Sequence, residues 1–239
     1  VSIEGAMKRL GGHTIVRNAG GMQITGSESV EDTAKVLSRF VDGAMFRISS
    51  HEKLLELARH ATVPVINGLT NHSHPCQIMA DLMTIEEKLG SIKGRKIAWF
   101  GDYNNVARTF AQTAPVWDFE LFVSCPPDLK PKDKAVKYSE DPKAAAKNAD
   151  VIVTDTWVSM GQEGKSIDKF MPYQVNKTLM ALAKPDAIFM HCMPIHRNEE
   201  VTDEVLATPA SVIYDEAENR LHAQKAILAW CLENAGVTV

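Results

Sequence analysis

The segment with the most chemistry in this chain is His191–Arg197, which reads His-Cys-Met-Pro-Ile-His-Arg. It follows an apolar run over residues 187–190 that predicts a buried strand, and Pro194 ends that strand. Ligands of open α/β sheets bind at the carboxyl ends of strands, so the Cys192 thiol is a candidate catalytic group. A buried structural cysteine beside hydrogen-bonded histidines is the simpler alternative. A zinc site using Cys192 with His191 or His196 is disfavoured, because no second ligand pair stands at metal spacing.

Other polar clusters fall at or just beyond the carboxyl ends of predicted strands: Arg47, residues 74–77 (His-Pro-Cys-Gln), residues 102–105 and residues 155–161. Arg47 offers a planar fork of donors for a phosphate or carboxylate. A helix that starts at Pro75 presents N–H groups to an anion, and His74 and Gln77 stand one turn apart there. Asp155 can accept hydrogen bonds from an ammonium group. Together the clusters predict a cleft for one anionic ligand and one amino-acid-like ligand.

Composition limits the class of protein. The 239 residues are 45% hydrophobic and 23% charged, as in ordinary globular proteins, and allow one large domain or two smaller ones. The formal net charge is −4 and no basic stripe interleaved with aromatic residues occurs, which argues against nucleic acid as a partner. No apolar run approaches the length of a membrane span. Four cysteines without CxxC spacing fit a reducing compartment, taken as the cytoplasm.

Strand and helix signals alternate along the chain. Predicted strands lie at residues 13–16, 43–48, 63–67, 96–100, 120–124, 151–154, 187–190 and 211–214. Predicted helices lie at residues 2–10, 30–40, 51–61, 75–88, 105–114, 141–148, 171–183, 202–206 and 219–234, and residues 131–139 form a linker. Repeated βα units predict an α/β fold with two domains, each with a mostly parallel sheet flanked by helices. The strand-turn-helix that begins at residue 96 lacks the glycine fingerprints of dinucleotide and P-loop sites.

Four motifs stand out together: residues 74–77 (His-Pro-Cys-Gln), 155–161 (Asp-Thr-Trp-Val-Ser-Met-Gly), 191–194 (His-Cys-Met-Pro) and 215–220 (Asp-Glu-Ala-Glu-Asn-Arg). In order and spacing, and across essentially the whole chain, they resemble the signatures of the ornithine carbamoyltransferases. The resemblance implies transfer of the carbamoyl group of carbamoyl phosphate to the δ-amine of L-ornithine, giving L-citrulline and phosphate, with no metal or organic cofactor. It further implies a carbamoyl-phosphate-binding domain at residues 1–88 and an ornithine-binding domain at residues 89–215. Residues 216–239 would form a C-terminal helix that packs back on the first domain.

The resemblance also assigns site residues. Those implied to bind carbamoyl phosphate are Gln23, Arg47, His74, Gln77, Cys192, Met193 and Arg220, and those implied to bind ornithine are Asn105, Asp155, Ser159 and Met160. Cys192, His74 and Arg220 would be the catalytic residues. Donors on His74, Gln77 and Arg220 would stabilise the oxyanion that forms when the neutral amine attacks the carbamoyl carbon. Cys192 would position the amine and, as a thiolate or with Asp155, tune its protonation without a covalent intermediate.

One segment of the family pattern is missing from this sequence. The family carries a Ser-x-Arg-Thr-Arg phosphate loop just before a Val-Ser-Phe-Glu-like segment, and residues 1–4 (Val-Ser-Ile-Glu) match only the latter. We therefore expect a truncated chain, with a variant that holds phosphate poorly as the alternative. Two other functions stay open: a carbamoyltransferase for a modified ornithine or a diamine, and a non-catalytic relative that lost the loop. By resemblance alone we expect a homo-oligomer, a trimer or a multiple of trimers, with carbamoyl phosphate and L-ornithine as its small-molecule partners.

Overall fold

The computed structural model of the chain describes residues 1–17, 29–158 and 166–237. The helices are α1 Ser2–Arg9, α2 Val30–Leu37, α3 His51–His60, α4 Pro75–Leu89, α5 Asn105–Trp117, α6 Pro142–Ala146, α7 Lys177–Met180, α8 Asp203–Leu206 and α9 Ile213–Asn234. The strands are β1 Ala44–Arg47, β2 Val65–Leu69, β3 Lys96–Phe100, β4 Glu120–Ser124, β5 Lys137–Ser139, β6 Val151–Thr154 and β7 Ile188–His191. Two compact units result, residues 1–79 with 220–239 and residues 80–219.

In the first unit, β1 and β2 pair in parallel, and Arg47 at the end of β1 stands opposite Leu69 at the end of β2. Side chains cap the helices that flank this pair: Ser29 accepts from the Asp32 N–H at the start of α2, and Ser50 does the same at the start of α3. Apolar faces of α2 and α3 pack on β1 in one core cluster, formed by Ala34, Phe46, Leu54 and Leu57. A second cluster joins α1, β2 and the last helix through Ala6, Ile66, Cys76 and Leu228.

The second unit is built on a parallel sheet of order β5-β4-β3-β6-β7. Strands β6 and β7 are buried throughout and read as continuous apolar runs, as strands covered on both faces do. Register pairs Phe100 with Thr154, and Thr154 with His191. The residues that follow these three strands therefore emerge side by side at one edge of the sheet, where the predicted clusters lie.

The fold class predicted from the alternating pattern is confirmed: both units are parallel-sheet α/β structures flanked by helices. Residues 220–239 belong to the first unit although the chain reaches them from the second, which confirms the return of the C-terminal helix. Within the part of the chain that the structure describes, no helix is long and apolar enough to cross a membrane.

Two predicted strands are wrong. Residues 13–16 form no strand, and Ile15 and Val16 are 72% and 62% exposed, so none of the residues that the structure describes supplies the pairing that a four-residue strand needs. Residues 211–214 contribute only an isolated bridge from Ser211 to Phe189. The chain turns into α9 at Ile213 instead, with two acidic residues in the first turn, where the helix dipole favours them.

The predicted helix at residues 171–183 and the linker at residues 131–139 are also wrong in part. Pro172 cannot donate to a helical ladder, so residues 168–173 form a 3-10 helix, and only Lys177–Met180 are α-helical. The linker ends in a short edge strand, β5, in which Tyr138 pairs with Val123 of β4. Its three residues are too few for a clear alternating pattern.

Candidate active site

The first unit gathers a set of hydrogen-bond donors, here called the donor cluster, formed by Arg47, His74, Gln77 and Arg220. Gln77 lies in the first turn of α4 and is fully buried, and its Oε1 accepts from Arg220 Nη1 at 2.7 Å. Arg220 Nε is buried without a hydrogen-bond partner among the described residues. A guanidinium fixed through one nitrogen thus keeps further donors for a planar acceptor such as a carbamoyl or phosphate oxygen.

His74 precedes α4 and is 4% exposed. Burial, then the positive charges of Arg220 and Arg47, lower the pKa of His74 to about 3. The imidazole is therefore neutral at physiological pH and acts as a hydrogen-bonding group, not as a cation. Arg47 ends β1 and is exposed, and the β1–β2 register places it beside the strand that leads into residues 70–74.

Cys76 lies in the same turn of α4 but has a structural role. Its thiol donates to the Asn67 carbonyl at 3.3 Å, and burial raises the pKa of Cys76 to about 11. The loop before α4 is tied down by Thr70, whose hydroxyl accepts from the backbone N–H groups of His72 and Ser73 at 3.2 Å each. These contacts fix the approach of the chain to His74.

At the edge of the second sheet lies a group here called the carboxylate cluster, formed by Asn104, Asp155 and Cys192. Asp155 follows β6 and is 8% exposed. Its Oδ1 accepts from the Cys192 thiol at 3.1 Å and from the Thr156 N–H at 2.8 Å, and its Oδ2 accepts from Asn104 Nδ2 at 2.7 Å. Since β3, β6 and β7 end in register, the three members come from three neighbouring strand ends.

Sequence reasoning named Asn105 and missed Asn104. Asn104 is the N-cap of α5, and its Oδ1 accepts from the Val106 and Ala107 N–H groups at 2.9 and 3.2 Å. Its amide N–H₂ is thereby aimed at Asp155. Asparagine is a favoured N-cap residue, and this preference was the available signal. Asn105 opens the helix, is half-buried, and its role remains a prediction.

Cys192 is a neutral thiol. Burial, followed by the nearby carboxyl groups of Asp155 and Glu216, raises the pKa of Cys192 well above 9. The idea that a thiolate tunes the attacking amine is therefore wrong, because a thiolate beside two buried carboxyl groups is strongly disfavoured. A thiol that donates to Asp155 orients that carboxylate, and Cys192 acts in this way.

The two residues flanking Cys192 are locked by hydrogen bonds. His191 is fully buried, its Nδ1 accepts from the Met193 N–H at 3.0 Å, and its Nε2 lies 3.1 Å from Glu200 Oε1. Since Nδ1 is an acceptor, the imidazole proton sits on Nε2 and is donated to Glu200. Met193 adopts a left-handed φ of 59°, which brings its N–H back to His191. Ligand atoms of Asp155, His191 and Cys192 lie within 4.8 Å of one another, but each already has a hydrogen-bond partner.

Two buried carboxyl groups, those of Glu216 and Asp81, lie next to the end of β7. Glu216 Oε2 accepts from the His191 N–H at 2.8 Å, and the Glu216 side chain is hydrogen-bonded to Asp81. Both side chains are at most 2% exposed. Burial and the Asp81 charge raise the pKa of Glu216 well above 4.5, and a hydrogen bond between two carboxyl groups requires one of them to carry the proton.

The loop that follows Asp155 is anchored by Trp157. Its indole is 2% exposed and stacks on Phe170 with ring centroids 5.6 Å apart. Gly101, with φ of 98°, lies directly against that indole, and a Cβ there would clash with it. Among the predicted site residues, Gln23, Ser159 and Met160 lie outside the described residues.

The two units correspond to two family models. Residues 1–87 match the carbamoyl-P binding domain of aspartate/ornithine carbamoyltransferase, and residues 93–231 match the Asp/Orn binding domain. Two α/β units with a donor cluster and a carboxylate cluster define a two-domain protein of the carbamoyltransferase class. The chain belongs to the aspartate/ornithine carbamoyltransferase family.

Individual relatives are similar over nearly the whole chain. The ornithine carbamoyltransferase of Brucella abortus is 53% identical, covering 99% of this chain and 80% of the relative. That of Rhodopseudomonas palustris is 56% identical, covering 97% and 79%. Among solved structures, ornithine carbamoyltransferase from Pyrococcus furiosus has a TM-score of 0.93 at 47% identity, and that from Thermus thermophilus 0.90 at 39%, each covering 97% of this chain and 80% of the other.

Proposed function

We propose that this protein is an ornithine carbamoyltransferase, which transfers the carbamoyl group of carbamoyl phosphate to the δ-amine of L-ornithine, giving L-citrulline and phosphate. The observation that carries the proposal is the Arg220–Gln77 hydrogen bond beside neutral His74. It fixes donors suited to a carbamoyl oxygen in a chain that is 53–56% identical to ornithine carbamoyltransferases.

The donor cluster provides electrostatic stabilisation. Attack of the neutral amine forms a C–N bond and places negative charge on the carbamoyl oxygen, and collapse of this intermediate breaks the C–O bond to phosphate. His74, Gln77 and Arg220 donate to that oxygen, and preorganised donors in a dry site stabilise charge far better than water does. Arg47 and Gln23 bind the phosphate, which leaves as an anion and takes up the proton that the amine nitrogen releases.

The carboxylate cluster binds the amino acid. Asp155 is a buried acceptor for an ammonium group, and the Cys192 thiol and the Asn104 amide hold its two oxygens in place. Asn105, Ser159 and Met160 complete the contacts to the α-amino and carboxylate groups of ornithine. Met193 contributes backbone contacts near the carbamoyl group. No covalent intermediate on Cys192 is needed, because the amine itself is the nucleophile.

We propose that residues 1–88 form the domain that binds carbamoyl phosphate and residues 89–215 the domain that binds ornithine. Residues 216–239 return to the first domain and bring Arg220 to it. We further propose a cytoplasmic homo-oligomer, a trimer or a multiple of trimers. The family resemblance is the support for that assembly, and light scattering on the purified full-length protein measures it.

The test is citrulline formation by the full-length gene product. With carbamoyl phosphate present, L-ornithine is expected to give citrulline, while an N-acylated ornithine, putrescine and L-aspartate are expected to give at least about tenfold less product, since each leaves a buried polar group unpaired. Absence of citrulline would refute the proposal, and a preference for putrescine would reassign the substrate.

A matched pair of variants tests the donor cluster. Arg220→Lys keeps the charge but removes the fork, and is expected to lower kcat/KM for carbamoyl phosphate by about 10²-fold, as loss of one oxyanion donor does. Arg197→Lys changes an exposed arginine paired with Asp203 and is expected to leave kcat/KM unchanged. Equal effects of the two substitutions would contradict the role given to Arg220.

A further inference from the structure

A tight turn follows the strand end that carries Cys192. The Asn198 N–H donates to the Val201 carbonyl at 2.8 Å, and the Glu199 N–H donates to the His196 carbonyl at 3.0 Å. Asn198 adopts a left-handed φ of 65° to close the turn. This backbone brings three side chains together: His196 Nδ1 lies 3.7 Å from Glu199 Oε2 and 4.0 Å from Glu200 Oε2. All three ligand atoms lie within 4.8 Å of one another.

Glu200 makes this group more than a surface cluster. Its side chain is fully buried, and its Oε1 accepts from the His196 N–H at 2.6 Å and from His191 Nε2 at 3.1 Å. Its Oε2 is buried with no hydrogen-bond partner among the described residues and is directed toward His196 Nδ1. Burying a carboxylate oxygen without a hydrogen-bond donor costs free energy, and a cation bound to Glu200 Oε2 would offset that cost.

We propose that His196, Glu199 and Glu200 form a binding site for one divalent transition-metal ion of the Zn²⁺ type. An imidazole nitrogen and carboxylate oxygens bind Zn²⁺ at about 2.0–2.2 Å, so tetrahedral ligand atoms stand roughly 3.4 Å apart. The separations of 3.7 and 4.0 Å exceed this value by about 0.3 and 0.6 Å, and the Glu199 and Glu200 ligand oxygens lie within 4.8 Å of each other. Glu200 is fixed by the fold, and the more exposed His196 and Glu199 supply the movement that closes these distances.

The donor set selects the class of ion. One imidazole with two carboxylates suits Zn²⁺ or Co²⁺, whereas Ca²⁺ and Mg²⁺ prefer six or more oxygen ligands. Two carboxylates also balance the charge of a divalent ion. The neighbouring group Asp155, His191 and Cys192 is a poorer site, because the thiol donates to Asp155 and both nitrogens of His191 are engaged.

Titration of the purified full-length protein with Zn²⁺, followed calorimetrically, tests this site directly. One ion per chain is expected. His196→Gln and Glu199→Gln are each expected to weaken binding at least about tenfold, the smallest loss seen even for outer-shell partners of metal ligands. His60→Gln is the matched control, since His60 Nδ1 lies 3.8 Å from Glu31 in a similar partly exposed pair to which the described part of the chain adds no third ligand. This variant is expected to bind Zn²⁺ as the wild type does.

Cys192→Ser separates the two neighbouring groups. Zn²⁺ binding by this variant is expected to equal that of the wild type. Co²⁺ bound to the wild-type protein is expected to show no thiolate charge-transfer band. Three results would overturn the proposal: no binding at millimolar Zn²⁺, loss of binding on Cys192→Ser with retention in His196→Gln, or equal loss in His196→Gln and His60→Gln.

Discussion

Replacement of Glu216 by glutamine should flatten the pH dependence of stability. Glu216 is hydrogen-bonded to Asp81 and accepts from the His191 N–H, and both carboxyl groups are buried. Two carboxylates cannot hydrogen-bond to each other without a shared proton, so the native pair keeps one. A glutamine amide reproduces this state: its oxygen accepts from His191, and its N–H₂ donates to Asp81.

The magnitude follows from proton linkage. Burial raises the native pKa of Glu216 well above the 4.5 expected for the unfolded chain, so the native state binds more protons than the unfolded state between these two values. The stability contributed by this group is present below pH 4.5 and is lost as pH rises, by about 1.4 kcal/mol per pH unit, until the native pKa is reached. Glutamine at position 216 does not titrate. The free energy of unfolding of Glu216→Gln minus that of the wild type should therefore increase by about 1.4 kcal/mol for each unit that the pH rises.

Urea unfolding at intervals from about pH 5 to pH 8 measures this difference. Glu218→Gln removes an exposed carboxylate two residues away on the same helix and is the control for loss of a carboxyl group from α9. Glu216→Ala also lacks this titration but leaves the His191 N–H without its acceptor, so it should be about 1–3 kcal/mol less stable than Glu216→Gln at every pH. Parallel stability curves for the wild type and Glu216→Gln would refute the shared proton.

Three further predictions concern the site. The pKa of His74 is lowered to about 3, so the pH profile of kcat/KM for carbamoyl phosphate should lack a limb near 6.5, and a limb that disappears in His74→Asn would contradict this. As pH falls from 6.5 to about 3, keeping this imidazole neutral should lower the free energy of unfolding by about 1.4 kcal/mol per pH unit. Cys192→Ser should keep measurable turnover with a raised KM for ornithine. Its pH profile of kcat/KM should match that of the wild type below pH 9, because the native thiol is already neutral there. A trapped thioester on Cys192 would be inconsistent with the mechanism. Gly101→Ala should destabilise by about 2–4 kcal/mol in urea unfolding, since the methyl group meets Trp157 at a positive φ, and a loss under about 0.5 kcal/mol would show that the loop yields.

Much of the fold was predictable because local and global signals agree. The apolar runs that became β6 and β7 are buried on both faces, so their composition alone marks them as strands. Failures occur where pairing partners decide the outcome. Ile15 and Val16 have strand-like side chains but no paired strand among the described residues, and Tyr138 joins a strand only because β4 offers an edge.

The sequence predicts which segments carry the site residues, but it predicts less well which side chains contact one another. Motif order identified the strand ends that carry Asp155 and Cys192, but not which asparagine reaches Asp155, since two adjacent residues compete and the helix cap decides. The pKa of Cys192 is raised first by burial and then by Asp155 and Glu216, which are far from it in sequence. Such electrostatic effects require the distances that only the folded chain supplies.

The bond between Gln77 and Arg220 joins residues 143 positions apart, and this separation imposes an order on synthesis. At roughly 5–20 residues per second, a ribosome makes Arg220 about 7–30 s after Gln77. During that interval the whole second unit, residues 80–219, is synthesised, while the first unit still lacks residues 220–239. A stop codon at position 220 would therefore remove Arg220 from the donor cluster while the whole second unit is still encoded, so the chain would keep its five-stranded sheet but lose the guanidinium that binds Gln77.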